Sequence, residues 1–298
     1  MEDRRENDLL KNLIDGVFFV DLDRKITFWN RGAERISGYT SQETVGLRCD
    51  NQILEHVNFE GKRMCSEGCP LLATMADGTA HEENVYLHHK KGHRVPVTIR
   101  TMPIKDEKGK MAGCIETFVE SSSQSQLLQE LWQANEIGLT DPLCVIGNQH
   151  FCEISLSSRI FEFEGFHVGF GVLLLDVDLF KYINDMYGEK IGDDILIMVA
   201  KTLTGVLRKL DIVTRWEKDE FVIILPNVPE EALAKVAERL RVLVKNSFLI
   251  VGDAKVAVSV SIGATTVKPG DTPEAIIQRA HTLTQASKIL GRDRVTTG

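Results

Sequence analysis

The sequence lacks a long apolar run. No uninterrupted apolar stretch approaches the ~18 residues that a membrane-spanning helix needs. The opening segment, MEDRREND, is acidic and lacks the basic and apolar regions of a signal peptide. These absences predict a cytoplasmic protein without membrane insertion.

Positive charge and cysteine are also scarce. The chain has 35 Lys and Arg against 43 Asp and Glu, a net charge of −8. This balance argues against a broad nucleic-acid-binding surface but allows a local basic pocket for a nucleotide. The six cysteines have no secretory context, so we expect free thiols rather than disulfides.

The remaining composition is typical of a globular protein of two domains. Of 298 residues, 43% are apolar and 26% are charged. The order of elements predicts an α+β fold: an antiparallel sheet with helices, a helical linker, and a second unit that alternates helices and strands. We place these parts at residues 1–120, 121–140 and 141–298.

A charged tetrapeptide between two apolar runs indicates a β-hairpin with a polar tip. The runs are Asp211–Trp216 and Phe221–Leu225, and the tip is EKDE at residues 217–220. A turn in this place presents its carboxylates together.

A second group of carboxylates, DVD at residues 176–178, ends the apolar run Val172–Leu175. If this strand and the hairpin are neighbours in one sheet, Asp176, Asp219 and Glu220 converge at its edge. Such an all-oxygen set suits Mg²⁺ and phosphates better than zinc.

Three segments carry a family resemblance. LLLDVDLFKYINDMYGEKIGDDIL (Leu173–Leu196), followed by RWEKDEFVIILP and VSVSIGAT (Val258–Thr265), resembles a GGDEF domain, the diguanylate cyclase family. The resemblance covers roughly the last 160 residues, and several motifs agree in order and spacing. Where the family has two glycines, this chain has Glu217 and Lys218.

The resemblance implies that two GTP molecules, one held by each subunit of a dimer, are joined into cyclic di-GMP. By position, it makes Asp219 and Glu220 catalytic. It assigns a Mg²⁺ or Mn²⁺ site to Asp176, the Val177 carbonyl and Asp219. It also implies contacts to the nucleotide: Lys181, Lys288 and Arg292 at the phosphates, and Asn184 and Asp193 at the guanine edge.

The departure at Glu217 and Lys218 predicts weak activity. Glycines in such a turn permit positive φ and let the backbone approach phosphate, so replacing one costs about 1–2 kcal/mol if the conformation is kept. A carboxylate about 4 Å from a phosphate charge adds up to about 4 kcal/mol at an effective dielectric near 20. Lys218 offsets part of this repulsion if it points the same way.

A further set of residues resembles the family's inhibitory site for cyclic di-GMP. Arg208 and Asp211 stand in an RxxD pattern just before the hairpin, and Arg239 matches the second arginine. Arginine pairs with phosphate or guanine, and a carboxylate accepts from the guanine edge. RxxD alone also occurs as an ordinary surface pair on helices.

The first unit resembles a PAS domain. The resemblance lies in DGVFFVDLDRKITFWNRGAERISGY and KKGHRVPVTIRTMPIKDEKGKMAGCIETF. Its predicted order is a hairpin of Val17–Val20 and Lys25–Trp29, short helices, and three antiparallel strands. PAS domains share a fold far more than a ligand, so the resemblance implies sensing or dimerisation only generically, and the ligand stays unknown.

Three cysteines, Cys49, Cys65 and Cys69, lie in one half of this unit, and a helix would bring the last two to one face. One interpretation is a metal, haem or redox site, for which five histidines offer further ligands: His56, His81, His88, His89 and His93. The other is that the thiols are small apolar core residues and the histidines surface polar groups.

The segment between the units predicts a helix. Leu127, Leu131, Ala134 and Gly138 fall at heptad-like spacing, which favours a dimer-forming signalling helix over a plain connector. We expect a homodimer formed through this linker and the PAS-like unit.

Three functions remain open. The favoured hypothesis is a degenerate GGDEF protein that binds GTP or cyclic di-GMP and acts through a downstream protein partner. The second is an active diguanylate cyclase, and the third is a scaffold whose nucleotide sites are both empty.

Overall fold

The computed structural model describes residues 10–11, 13–50, 53–66, 68–106, 108–120 and 138–298. They form two units that divide at residue 122, and each unit has its own sheet and hydrophobic core. The predicted linker helix lies outside the described residues, and so do Leu127, Leu131 and Ala134. Within the described ranges no helix is long and apolar enough to cross a membrane.

The first unit is a five-stranded antiparallel sheet with the strand order β2-β1-β5-β4-β3. Its described elements are β1 (Gly16–Val20), β2 (Ile26–Trp29), α1 (Arg31–Ser37), α2 (Ser41–Thr44), α3 (Pro70–Asp77), β3 (His81–His88), β4 (Arg94–Lys105) and β5 (Met111–Glu120). The predicted hairpin and the three antiparallel strands are therefore confirmed.

Local chemistry sets the start of this unit. The side chain of Asn30 accepts hydrogen bonds from the backbone N–H of Ala33 at 2.7 Å and of Val17 at 2.9 Å, which caps α1 and joins it to β1. Gly38 ends α1 at a φ of 77°. The core behind β1 is aromatic: Phe18 lies 5.3 Å from Trp29 and 6.2 Å from Phe118 between ring centroids.

The second unit is a five-stranded sheet with the strand order β12-β11-β6-β8-β7, flanked by helices and a small separate hairpin. Its elements are α4 (Gln149–Phe166), β6 (Phe170–Val177), α5 (Phe180–Tyr187), α6 (Glu189–Val206), β7 (Ile212–Glu217), β8 (Glu220–Pro226), α7 (Glu230–Lys245), β9 (Phe248–Val251), β10 (Ala254–Ala257), β11 (Val260–Thr266), α8 (Pro273–Ile289) and β12 (Val295–Thr297).

Strand β6 is apolar on both faces because helices cover both sides of the sheet. Val172 and Leu174 belong to a core shared with α4 and α8, whereas Leu173 and Leu175 belong to a core shared with α6 and α7. The strand is buried along its whole length. The two aspartates at its end, Asp176 and Asp178, therefore lie at the edge of the apolar core, where the strand ends.

One predicted strand, Lys255–Ala264, is wrong as a single element. It is two strands: β10 pairs with the unpredicted β9 in a two-stranded hairpin, and β11 pairs with β6. Val258 and Ser259 separate the two. The hairpin turns at Gly252, whose φ is 60°.

Candidate functional site

Two strands place the predicted carboxylates together. Strands β6 and β8 run antiparallel, and their register sets Asp176 opposite Glu220. The backbone N–H of Val177 donates to the Asp219 carbonyl at 3.2 Å, which holds the hairpin tip against the end of β6. The predicted pairing of these strands is confirmed.

The carboxylates of this cluster repel one another. Burial and the neighbouring Asp176 raise the pKa of Glu220 to about 7. Burial also raises the pKa of Asp176, against the opposing effect of Lys288, whose Nζ donates to its Oδ2. His281 Nε2 lies 3.8 Å from Glu220 Oε1. Among the described residues no three His, Cys, Asp or Glu side chains already stand in a metal-holding arrangement.

Asp178 has a different role, which sequence reasoning missed. Its Oδ2 accepts from Ser259 Oγ at 2.6 Å and from the backbone N–H of Asp293 at 3.1 Å, and its Oδ1 accepts from Ser261 Oγ at 2.7 Å. Asp178 thus fastens β6 to β11 and to the loop that carries Arg292. The alternating serines of VSVSIG were the signal that could have pointed to it.

The hairpin tip forms without glycine. Lys218 adopts a φ of 29°, on the positive side that favours glycine. Its carbonyl accepts from Arg215 Nε at 2.8 Å, and Arg215 Nη1 lies 3.2 Å from Asp141 Oδ2. Arg215, which sequence reasoning also missed, therefore joins the tip to the first turn of the unit. The side chains of Glu217 and Lys218 are exposed.

An open groove of about 420 Å³ lies beside this tip. Its walls come from the hairpin, α4 and α8, and include Trp216, Glu217, Glu220, Gln278 and His281. The carboxylate-bearing residues Glu217 and Glu220 thus line the same space. None of the residues predicted to contact phosphate or guanine lines this groove.

The predicted guanine contacts lie on α5 and α6. Asn184 Oδ1 is buried and has no hydrogen-bond partner within the described structure. A Cβ atom at Gly192 would stand 1.8 Å from that oxygen, so a larger residue there would force the Asn184 side chain to move. Asp193 follows directly and is exposed, as is Lys181. Within the described residues Asn184 Oδ1 is therefore an unsatisfied acceptor that packs against Gly192.

The three residues of the predicted inhibitory site are brought together. The backbone N–H of Arg208 donates to Asp211 Oδ2 at 2.7 Å. Burial raises the pKa of Asp211, and Arg208 and Arg239 oppose that rise. Arg239 Nε is buried without a hydrogen-bond partner among the described residues. The cluster thus pairs one half-buried carboxylate with two guanidinium groups.

Three of the four cysteines of the first unit also converge. Cys49, Cys65 and Cys69 line one small cavity with His56 and Glu116. The expectation that a helix brings the last two cysteines to one face is wrong. Cys69 is the N-cap of α3, which begins at a proline, and Cys65 lies in the preceding turn.

Burial governs the ionisation of the two polar groups in this cavity. It raises the pKa of Glu116 to about 8. Burial, helped by Arg94, lowers the pKa of His56 to about 4. The other predicted histidines do not line the cavity: His81 pairs with Asp77, His88 is buried in β3, and the rings of His89 and His93 stack.

Two family models match the chain. Residues 139–294 match the GGDEF domain of diguanylate cyclases, and residues 14–123 match a PAS domain. A probable diguanylate cyclase, DgcE of Escherichia coli K12, is 26% identical over 298 residues, which are 99% of this chain and 26% of that protein. The response regulator PleD of Caulobacter vibrioides is 34% identical over 201 residues, which are 66% of this chain and 44% of that protein. This chain thus spans less than half the length of either relative.

Solved structures agree with the family models. The diguanylate cyclase SiaD of Pseudomonas aeruginosa, in complex with its activator SiaC, matches with a TM-score of 0.54 and 29% identity over 58% of this chain and 67% of that one. The coiled coil and GGDEF domain of DgcB from Caulobacter crescentus, in complex with c-di-GMP, matches with a TM-score of 0.53. The sequence identity is 28%, and the match covers 58% of this chain and 92% of that one. This chain therefore belongs to the GGDEF-domain family of diguanylate cyclases, with a PAS domain before its GGDEF domain.

Proposed function

We propose that this chain is a cyclic di-GMP signalling protein whose GGDEF unit binds GTP or cyclic di-GMP and turns GTP over poorly, under the control of its PAS unit. The observation that carries this proposal is the position of Glu217, which stands where the family has glycine and lies opposite Glu220 in the hairpin, while Glu220 in turn lies opposite Asp176. The proposed assembly is a homodimer that acts on a downstream protein.

A divalent cation, Mg²⁺ or Mn²⁺, fits the carboxylate cluster. Asp176, Asp219 and the Val177 carbonyl would hold it. The fit rests on charge: neighbouring carboxylates help to raise the pKa of Glu220, and a cation would relieve their repulsion. When bound, the ion would stabilise negative charge on phosphoryl oxygens.

The remaining contacts come from the chain's own side chains. Asn184 Oδ1 and the Asp193 carboxylate are acceptors, which suit the N1–H and amino group of guanine and not adenine. Lys181, Lys288 and Arg292 supply positive charge for the phosphates. The 3′-hydroxyl proton would pass to Glu220 or Asp219.

Glu217 opposes this binding. A carboxylate about 4 Å from a phosphate charge costs up to about 4 kcal/mol at an effective dielectric near 20, roughly a thousandfold in affinity. Because the side chain of Glu217 is exposed, solvent and salt reduce this penalty. The proposal is therefore slow turnover with nucleotide binding retained.

The alternative is an active diguanylate cyclase. The pairing of Asp176 with Glu220 and the contact of Asp176 with Lys288 favour it. A residue predicted to bind metal and one predicted to contact phosphate thus lie together despite the altered turn. The two functions differ only in rate, so product formation separates them.

The test is incubation of nucleotide-stripped protein with GTP and Mg²⁺, followed by chromatography of the nucleotides and titration with cyclic di-GMP. We expect binding with little product, and a gain in product when Glu217→Gly is combined with Lys218→Gly. Abundant product from the unaltered chain that Asp219→Ala abolishes would establish the alternative. Absence of binding to both nucleotides would leave only a scaffold.

A further inference from the structure

The cavity in the PAS unit has room for a single small occupant. Its volume is about 10 Å³, close to that of one water-sized probe. Pockets for organic ligands are of the order of 300–1,000 Å³. The cavity is therefore too small for haem or flavin, and only a water molecule or an ion fits.

Two buried polar atoms face each other there without hydrogen-bond partners in the described structure. They are His56 Nε2 and Glu116 Oε1, and they lie 3.7 Å apart. Their side chains are 9% and 1% exposed. Buried nitrogen and oxygen atoms without partners are rare in native proteins and indicate a missing water or ion.

The separation of these atoms fits two ligands of one metal ion. With bonds of about 2.1 Å from zinc to nitrogen or oxygen, two ligands at a tetrahedral angle stand roughly 3.4 Å apart. A bridging water is less suitable, because two hydrogen bonds of about 2.8 Å place their partners about 4.5 Å or more apart at an ordinary angle.

Two of the three thiols at this cavity would complete a set of four donors. Cys49, Cys65 and Cys69 line the same cavity as His56 and Glu116. Thiolate, imidazole and carboxylate together select zinc and similar transition metals, whereas magnesium and calcium prefer oxygen alone.

We propose that this cavity binds one transition-metal ion of the zinc class, with His56, Glu116, Cys65 and Cys69 as its four ligands. In the described residues no three of these donors are already arranged around a common point. Binding therefore requires Cys65 and Cys69 to turn inward, and both are half-buried residues outside helix and strand. Each thiol that binds releases its proton to solvent.

The experiment measures metal per chain. The full chain is purified under reducing conditions, stripped with a chelator, loaded with Zn²⁺, dialysed and analysed for elemental zinc, and its affinity is measured by competition with a chromophoric chelator. Because the carboxylates around Glu220 also attract cations, the measure is the difference between variants. We expect about one tightly held ion more in the unaltered chain than in Cys65→Ala/Cys69→Ala.

Cys114→Ala is the matched control, because Cys114 is buried in the same core and does not line the cavity. It should retain the ion. Glu116→Gln keeps the side-chain shape and removes the charge, so zinc affinity should fall by about 10- to 100-fold.

Metal binding can also be measured on the unaltered chain alone, by thermal unfolding. Chelator should lower its midpoint of thermal unfolding, and zinc should restore it. Equal zinc content and affinity in the unaltered chain and in Cys65→Ala/Cys69→Ala would overturn the proposal, as would an unaltered reduced chain that retains no tightly bound zinc. In the second case the cavity holds only water.

Discussion

At the scale of single residues, the second unit depends on side chains whose role is to hold others. Asp178 accepts three hydrogen bonds and is 5% exposed. Asp178 is not among the residues predicted to bind metal or nucleotide, but it holds the loop next to Arg292 through the backbone N–H of Asp293. Asp176, two residues earlier, instead faces Lys288. Two aspartates of one short motif thus have different roles because Asp176 lies within β6, whereas Asp178 follows the last residue of that strand.

We expect Asp178→Asn to lower the free energy of unfolding by about 1–3 kcal/mol. The NH₂ group of the asparagine would replace one acceptor oxygen. Either the N–H of Asp293 and the hydroxyl of Ser259, or the hydroxyl of Ser261, would then lose its acceptor. Urea unfolding measures the change. Asp253→Asn, an exposed aspartate in the β9–β10 turn, is the control and should change little. Equal effects of the two substitutions would contradict the anchoring role.

Gly192→Ala should destabilise the second unit by about 1–3 kcal/mol, because its Cβ atom would collide with Asn184 Oδ1. Thermal or urea unfolding tests this. Gly165→Ala is the matched control on α4, where a Cβ atom meets nothing within 4 Å. The control should stabilise the protein by up to about 1 kcal/mol. A neutral Gly192→Ala would mean that the Asn184 side chain moves aside at little cost.

At the scale of elements, the hairpin of β7 and β8 forms without the two glycines of the family motif because other contacts hold its tip. Arg215 bonds the Lys218 carbonyl and pairs with Asp141, and the Val177 N–H bonds the Asp219 carbonyl. These contacts come from outside the turn. They explain how a residue with a side chain is kept at positive φ.

Lys218→Gly should therefore raise the free energy of unfolding by about 0.5–1 kcal/mol, since glycine adopts positive φ without steric cost. Lys209→Gly is the control: Lys209 lies in an exposed turn and is not among the residues with positive φ. The control should be neutral or destabilising. If Lys218→Gly destabilises equally, the backbone at this position is not strained.

The end of α6 and helix α7 form another element-scale feature. Arg208 and Asp211 follow α6, and Arg239 extends from α7 with a buried Nε that has no hydrogen-bond partner in the described part of the chain. Guanidinium groups beside a carboxylate suit a ligand that carries both phosphate and guanine.

Arg239→Ala should weaken cyclic di-GMP binding by about tenfold or more, because a charge-assisted contact is lost. Isothermal titration measures the dissociation constant. Lys235→Ala removes an exposed charge from the same helix and serves as control. An unchanged affinity in Arg239→Ala would remove this cluster as the binding site.

At the scale of the whole molecule, two units with separate sheets and cores are joined in one chain. The first has a PAS fold with a small cavity that His56 and Glu116 line, and the second has a GGDEF fold with a carboxylate cluster beside an open groove. A PAS unit followed by a GGDEF unit is consistent with the proposed signalling function.

Much of this organisation could be predicted from the sequence. The hairpin tip at residues 217–220 and the hairpin of β1 and β2 follow from short apolar runs and turn residues, which are local signals. Strand β6 was evident as a continuous apolar run. The β9–β10 hairpin was missed, because the run at residues 255–264 gave no signal of the change from one sheet to another.

The sequence by itself determined the family, the order of elements and the residue types at the carboxylate cluster, because motif spacing and periodicity are local properties of the chain. Only the tertiary structure decided that Glu116 meets His56, that Asp178 is an anchor, and that Glu217 lines the groove with Glu220. These contacts join residues distant in sequence or depend on which face of a strand a side chain occupies. Strand register and packing fix them, and neither is written in a local pattern.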